Sequence, residues 1–436
     1  MKKALVLFAI LTVSLGFASD LEERAAAFLE SLASGKHEEV QETLSESLKD
    51  VLAKSGRTLG EVWKSVEEMV GKFVRIDRKL TIVEHGFSVV YVGCEFEGAL
   101  LDARIVFDQN ARILEFVFLP YVERRGYRIP EYVDLGSFEE FECVIGEEKW
   151  RLPATLSFPK GEGPFPAVVL VPGSGPVDRD VTQGPNKPFR DIAWGLASKG
   201  IAVLRFDKRT KVYPEECAKI LNEFTVREEL VEDAMAAIEY LRKHDKVDRN
   251  RIYLLGHSLG GTMAPRIALE TRELAGLILL APAARGFYLV NLLRQVEYLF
   301  SLDGVVDEDE ERQLRELAEQ IERIRRREIG ESEIVFGASK VYWEDLLDYD
   351  PIETARSLEV PILILQGTRD YQVTVEDFLL WKEGLKDKPN VAFMLFEGLN
   401  HLFIFGEGLP TPFEYYQPGN VSPEVVEDIA WWILSR

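Results

Sequence analysis

An α/β fold with a mostly parallel sheet, helices on both faces and a helical cap insertion, preceded by a small α+β domain, is what this sequence predicts. Three observations lead there. From Ala167 onward, short apolar runs rich in Val, Ile and Leu alternate with amphipathic helical stretches, the rhythm of a parallel sheet buried on both sides. The first 120 residues run differently, helices first and then an alternating meander, as in an α+β unit. The chain of 436 residues is also long for one domain.

The elements follow in order. Lys2-Lys3 precede an apolar run from Ala4 to Phe17, with Gly16 and Ala18 as the small residues before Ser19. That is a signal peptide over 1–18, cut after Ala18, with an uncleaved anchor as the alternative. A secreted, periplasmic or cell-envelope location is expected from it. No later segment is apolar enough to span a bilayer, so no membrane span is expected after cleavage. The N-terminal α+β domain is placed at 19–120. Leu21, Ala25, Phe28, Leu29 and Leu32 recur at helical spacing, and Thr58 with Glu61 forms a capping box before Val62, Trp63 and Val66. From Phe73 the pattern turns to alternation. Ser88–Glu97, Leu101–Phe107 and Ile113–Leu119 read as strands, with Asp108-Gln109-Asn110 as a hairpin turn. Residues 121–131, between Pro120 and Pro130 and rich in Arg, read as a linker.

The second domain is placed at 132–436. Phe138–Ile145 and Arg151–Phe158 read as an antiparallel pair. Ala167–Val171, Ile201–Phe206, Ile252–Leu255, Leu277–Leu280, Ile362–Leu365 and Val391–Phe396 read as buried strands, and Arg227–Lys243 as a helix with Leu230, Ala234, Ala237, Ile238 and Leu241 on one face. Between Ala281 and Pro361 lie about 80 residues, where such folds use short connections. Residues 285–345 are therefore read as an inserted helical cap.

Composition narrows the partners. A net charge of −22 would repel a phosphate backbone, so no nucleic acid is expected. Abundant Glu, Lys and Arg with few Gln, Asn, Cys and Met resembles proteins from hot environments, and thermostability is expected. Cys94, Cys143 and Cys217 are odd in number and far apart, which argues against a disulfide framework. The five histidines, His37, His85, His244, His257 and His401, show no ligand spacing, and no metal is expected.

One motif carries chemistry. Gly256-His257-Ser258-Leu259-Gly260 follows an apolar strand and precedes a helical stretch. This is G-x-S-x-G in the strand–turn–helix context that a nucleophile elbow requires. The turn is too tight for a Cβ at either glycine, and a helix N-terminus beneath the serine favours a developing oxyanion.

With that motif in place, residues from about 135 to 436 resemble the α/β-hydrolase superfamily, in particular bacterial carboxylesterases (serine esterases) with an extra N-terminal domain. The superfamily's chain order is Ser, acid, His. His401 is the only histidine after Ser258, and it sits in a loop, Gly398-Leu399-Asn400-His401, after an apolar strand, where the family places its base. Pro361-Ile362-Leu363-Ile364-Leu365-Gln366-Gly367-Thr368-Arg369-Asp370 looks like the family's strand, glycine and acid. The long interval from Ser258 to Asp370 is explained by the cap. Glu376, Asp377 and Glu383 fall in a helix and read as ordinary surface charge, and His257 as a packed or solvated neighbour. The resemblance implies an oxyanion hole from the backbone N–H of Leu259 and of Ser174, the latter in Pro172-Gly173-Ser174-Gly175-Pro176. Asp178-Arg179-Asp180 reads equally as a loop-shaping or a surface ion cluster. Asp207-Lys208-Arg209 has a family counterpart but lacks the usual following glycine.

The expected function is hydrolysis of a small-molecule carboxylic ester, of short to medium acyl chain, through Ser258, His401 and Asp370 and an acyl-enzyme. It requires no cofactor. A serine peptidase or acyltransferase would use the same triad, and an envelope binding protein on an inert hydrolase scaffold is the non-enzymatic alternative.

Overall fold

A computed structural model describes residues 18–436 apart from 57, 85, 86, 109, 121–126, 148, 272, 273 and 303. The expected signal peptide, up to residue 17, and residues 121–126 of the expected linker lie outside the described residues. The chain divides into two compact units, Met1–Arg124 and Arg125–Arg436.

In the first unit, helices α1 (Ala18–Ala33), α2 (Glu46–Ser55) and α3 (Leu59–Val70) precede a meander of β1 (Phe73–Glu84), β2 (Phe87–Phe96), β3 (Leu100–Phe107) and β4 (Ile113–Pro120). The four strands pair antiparallel in chain order. The apolar stripe of α1, Leu21, Ala25, Phe28, Leu29 and Leu32, is buried in one cluster with Val90, Val92, Phe96, Ala103 and Ile105 of the sheet. The α3 capping box forms as the sequence predicts: Glu61 N–H donates to Thr58 Oγ1, and Thr58 N–H donates to Glu61. In the hairpin between β3 and β4, Asp108 Oδ1 accepts from the N–H of Asn110 and of Arg112. Strand β1 begins where the alternation sets in at Phe73, and its pairing with β2 carries register shifts between Phe73 and Arg75 and between Ile76 and Arg78.

The second unit is built on eight strands. These are β5 (Phe138–Ile145), β6 (Leu152–Pro159), β7 (Phe165–Val171), β8 (Ala202–Phe206), β9 (Val247–His257), β10 (Gly276–Leu280), β11 (Ile362–Gly367) and β12 (Val391–Phe396). Their order across the sheet is β12-β11-β10-β9-β7-β8-β6-β5. From β8 to β12 every pairing is parallel; β6 joins β8 and β5 antiparallel. Among the helices are α4 (Pro188–Ala197), α5 (Glu232–Arg242), α6 (Leu259–Thr271), α11 (Val375–Gly384) and α12 (Pro423–Leu434); between β10 and β11 the cap expected at 285–345 holds α7 (Leu289–Ser301), α8 (Glu308–Arg325) and most of α9 (Lys340–Leu347), and α10 (Pro351–Ser357) follows it. Strands β7 to β11 read as near-continuous apolar runs because both faces of the sheet are covered: β8, β10 and β11 are buried at every position.

Two local differences from the sequence reading matter later. The stretch expected as one helix from Arg227 begins as a π-turn, Arg227–Val231, before α5. And from Tyr127 the residues expected as linker already belong to the second unit: Tyr127 and Tyr132 donate through their hydroxyls to Asp191 and to the carbonyl of Val421.

Candidate active site

β9 runs straight into the turn that holds Ser258. The serine adopts φ +55°, a left-handed conformation that costs an L-residue energy. The surroundings enforce it. Ser258 N–H donates to Leu280 O across the sheet, and Ser258 O accepts from Thr262 N–H and Oγ1–H in α6. A Cβ on Gly256 would lie 2.2 Å from Gly260 O, and one on Gly260 2.3 Å from Val171 O. The two flanking positions of the elbow therefore admit only glycine. Ser258 itself keeps partial exposure at the head of α6.

Asp370 lies three residues beyond β11. Its Oδ1 accepts from the N–H of Gln372 (2.8 Å) and Val373 (2.9 Å); its Oδ2 accepts from His401 Nδ1–H (2.6 Å) and Gln366 Nε2–H (3.1 Å). Four donors on one buried carboxylate leave it a single orientation. Gly367 permits the approach of the histidine loop, because a Cβ there would meet Leu399 O at 2.3 Å. Asn400 holds that loop closed, its Oδ1 accepting from the N–H of Leu402 and Ile404. With Nδ1 of His401 donating to Asp370, the Nε2 lone pair is free to accept a proton.

His257 is a buried part of this construction and not a solvated neighbour. Its Nε2–H donates to the backbone carbonyl of His401 at 2.8 Å, and the two rings are 4.6 Å apart. Burial, and next the neighbouring His401, push its pKa down to about 3, so it stays neutral beside His401.

On the other side, the loop after β7 passes over the elbow. A Cβ on Gly173 would lie 3.0 Å from Ser258 Cβ and 3.5 Å from Oγ. Neither Leu259 N–H nor Ser174 N–H donates to another described residue. Ionic pairs brace this loop from behind. Arg179 pairs with Asp207 and Glu142, and Asp180, buried, with Arg205, Arg190 and Lys187. Burial pushes the Asp180 carboxyl up, but Arg205, Arg190 and Lys187 hold it below its ordinary value. Asp178-Arg179-Asp180 thus shapes the loop.

Asp377 requires a correction. The sequence reading took it as surface charge, yet it is 1% exposed. Its Oδ1 accepts from Ala284 N–H (2.8 Å) and its Oδ2 from Asn291 Nδ2–H (3.3 Å), which ties the start of the cap to α11. Burial pushes its pKa up. Glu376 beside it is half exposed and pairs with Arg294 of α7. A helix that carries charges to an inserted segment looks the same in sequence as one that carries them to water. In the cap, Phe287, Leu292 and Leu299 are buried, and Tyr298 stacks on Tyr371 while its hydroxyl donates to Pro410 O. Among the described residues no group of three or more His, Cys, Asp or Glu could hold a metal ion, and no helix is long and apolar enough to cross a membrane.

A strained serine elbow in a mostly parallel eight-stranded sheet, with an Asp–His couple at the ends of later strands, defines a serine hydrolase of the α/β-hydrolase class. The comparisons agree. A family model described as serine aminopeptidase, S33, matches residues 187–407, and one described as a protein of unknown function (DUF3887) matches residues 25–116. The chain is 37% identical over 413 residues to esterase EstD of Thermotoga maritima, covering 95% of both. It belongs to this family of α/β-hydrolases. An uncharacterized peptidase, YtmA of Bacillus subtilis, is 24% identical over 207 residues, 47% of this chain and 63% of that protein. Among solved structures, Est1E from Butyrivibrio proteoclasticus matches with a TM-score of 0.43 at 19% identity over 68% of this chain and 99% of its own.

Proposed function

We propose that this protein hydrolyses carboxylic esters of short to medium acyl chain through Ser258, His401 and Asp370. His401 Nε2 takes the Ser258 proton as Oγ attacks the ester carbonyl. Leu259 and Ser174 N–H receive the oxyanion, the alcohol departs with the proton from His401, and water then releases the acid from the acyl-enzyme. The observation that carries this reading is the His401–Asp370 bond of 2.6 Å, on a carboxylate with four donors, in a chain whose elbow holds Ser258 at φ +55°. The name of the esterase relative supports ester over amide as the substrate. Phe287, Leu292 and Leu299 of the cap are consumed in packing, while Tyr288, Leu293 and Tyr298 keep partial exposure, an apolar surface that supports short to medium acyl chains as the substrate. Lys2-Lys3, the apolar run and Gly16-Phe17-Ala18 support export with a mature chain near Ser19, and the charged composition supports thermostability.

The test is a panel on purified protein: nitrophenyl esters of increasing acyl length, an aminoacyl nitroanilide and a long-chain triglyceride, with a fluorophosphonate label mapped by mass spectrometry. Labelling at Ser258 with fastest turnover on short esters is expected. Faster turnover of the anilide would make it a peptidase, the second reading that the serine aminopeptidase family model favours. An unlabelled Ser258 would refute both.

A further inference from the structure

Lys208 stands just beyond β8 and is completely buried. Its Nζ donates to Glu229 Oε1 at 2.5 Å and to the backbone carbonyl of Gly173 at 2.9 Å. That carbonyl is the other end of the peptide whose N–H belongs to Ser174. In a trans peptide C=O and N–H point to opposite sides, so an ammonium fixed on the oxygen also fixes where the N–H points. A positive charge at the oxygen polarises the amide and strengthens its N–H as a donor, most of all where water is excluded. Glu229 holds the ammonium in turn. It projects from the π-turn ahead of α5, an irregularity that recurs at functional sites, and its Oε2 accepts from the hydroxyl of Tyr342 at 2.6 Å. Tyr342 lies in cap helix α9. A chain of hydrogen bonds thus runs from the cap to the back of the loop that touches Ser258. Stability alone does not account for it, since a buried ion pair gains little over apolar residues of the same volume.

We propose that Lys208 is a positioning residue for oxyanion stabilisation. Its buried ammonium, held by Glu229, which Tyr342 holds in turn, orients and polarises the Gly173–Ser174 peptide toward the oxygen that becomes negative when Ser258 attacks. This rests on the hydrolase reading above.

The test compares Glu229→Gln with Lys208→Met/Glu229→Gln, which removes the ammonium without stranding a buried carboxylate. kcat and KM are measured on nitrophenyl acetate, together with Ki for an alkyl trifluoromethyl ketone, whose adduct with the serine places an oxyanion in the same position, and with Tm. Loss of a whole oxyanion donor costs about 100- to 1,000-fold in kcat. Misorientation of one of two donors is therefore expected to cost about 10- to 100-fold, with KM nearly unchanged and ketone affinity falling by the same factor. An unchanged kcat and ketone affinity in the pair overturns the inference, as does a loss confined to Tm. If the methionine pair does not fold, Lys208→Gln/Glu229→Gln, two amides that can bond each other, is read against the same criteria. Ser258→Ala run in parallel separates the two levels. A fully active Ser258→Ala sinks the hydrolase reading, whereas a dead Ser258→Ala beside an undiminished Lys208 pair sinks only the role of Lys208.

Discussion

Asp370→Asn changes one atom of the site, and the structure says which way the new amide must turn. With its nitrogen at the Oδ1 position, the amide would face the N–H groups of Gln372 and Val373 at 2.8 and 2.9 Å. Two buried donors would then lack acceptors, a cost of about 1–3 kcal/mol each. With its nitrogen at the Oδ2 position it faces His401 Nδ1 and Gln366 Nε2. His401 relieves that contact by moving its proton to Nε2, and Gln366 by turning its amide, at the loss of its bonds to Val373 O (2.8 Å) and Gly367 O (3.2 Å). The second orientation wins. It leaves His401 in the tautomer that cannot accept the Ser258 proton. The same change in another serine hydrolase lowers kcat about ten-thousand-fold, and at 1.36 kcal/mol per decade this is about 5 kcal/mol of transition-state stabilisation. The assay is kcat/KM on a nitrophenyl ester from pH 6 to 10, with folding followed by circular dichroism. A residual rate that climbs with pH is expected, as hydroxide takes over proton removal. A folded Asp370→Asn with near-normal kcat/KM at pH 7 would refute the assignment of the acid and the tautomer argument together.

Ser258→Ala and His401→Ala should each remove about a million-fold in kcat, and combining either with Asp370→Asn should add little, because the three act as one unit. Asp377→Ala leaves Ala284 N–H and Asn291 Nδ2–H without their buried acceptor and should cost about 3 kcal/mol, lowering Tm by up to about 10 °C, while kcat/KM stays far above that of Asp370→Asn. Loss of turnover without loss of Tm would make Asp377 the acid instead. Stability should respond to pH through two buried groups of opposite sign. His257, depressed from 6.5 to about 3, binds protons in the unfolded chain first, so its contribution is present above pH 6.5 and is lost as pH falls toward 3. Asp191, raised by burial from 3.8 to about 7, contributes below pH 3.8 and loses that contribution as pH rises toward 7. Tm profiles of His257→Phe and Asp191→Asn should therefore deviate from the wild type in opposite directions across that window, and parallel profiles would contradict both shifts.

The sequence disclosed what depends on short-range pattern. Strands β8 to β12 were visible as apolar runs, and Ser258 through the glycines that its turn demands. The couple of Asp370 and His401 was visible only through family resemblance and chain order. What escaped is held by side-chain contacts that the linear pattern does not display, most of them distant in sequence. Gln366 sits inside a buried strand like any other strand residue, yet its amide bonds Asp370. His257 props His401 across 144 positions. Glu229 and Asp233 are four apart beside the apolar face of one helix and are buried against Lys208 and Arg209. A charged stripe bordering that face, opposite two cations just after a strand that is apolar except for Arg205, was the available signal, but without knowing which elements meet it reads as solvated surface.

The order of the sheet has a further consequence. Ser258 follows β9, Asp370 follows β11 and His401 follows β12, and β12 is the last strand made and an edge of the sheet. Parallel pairing can close only after the whole intervening cap has emerged, so these contacts are among the slowest a chain can form. On the proposed triad, a growing polypeptide carries its nucleophile long before it carries a base. Turnover therefore begins only when the final strand docks, which makes ester cleavage a chemical clock for the completion of folding: refolding followed by product release should lag refolding followed by tryptophan fluorescence or helix content.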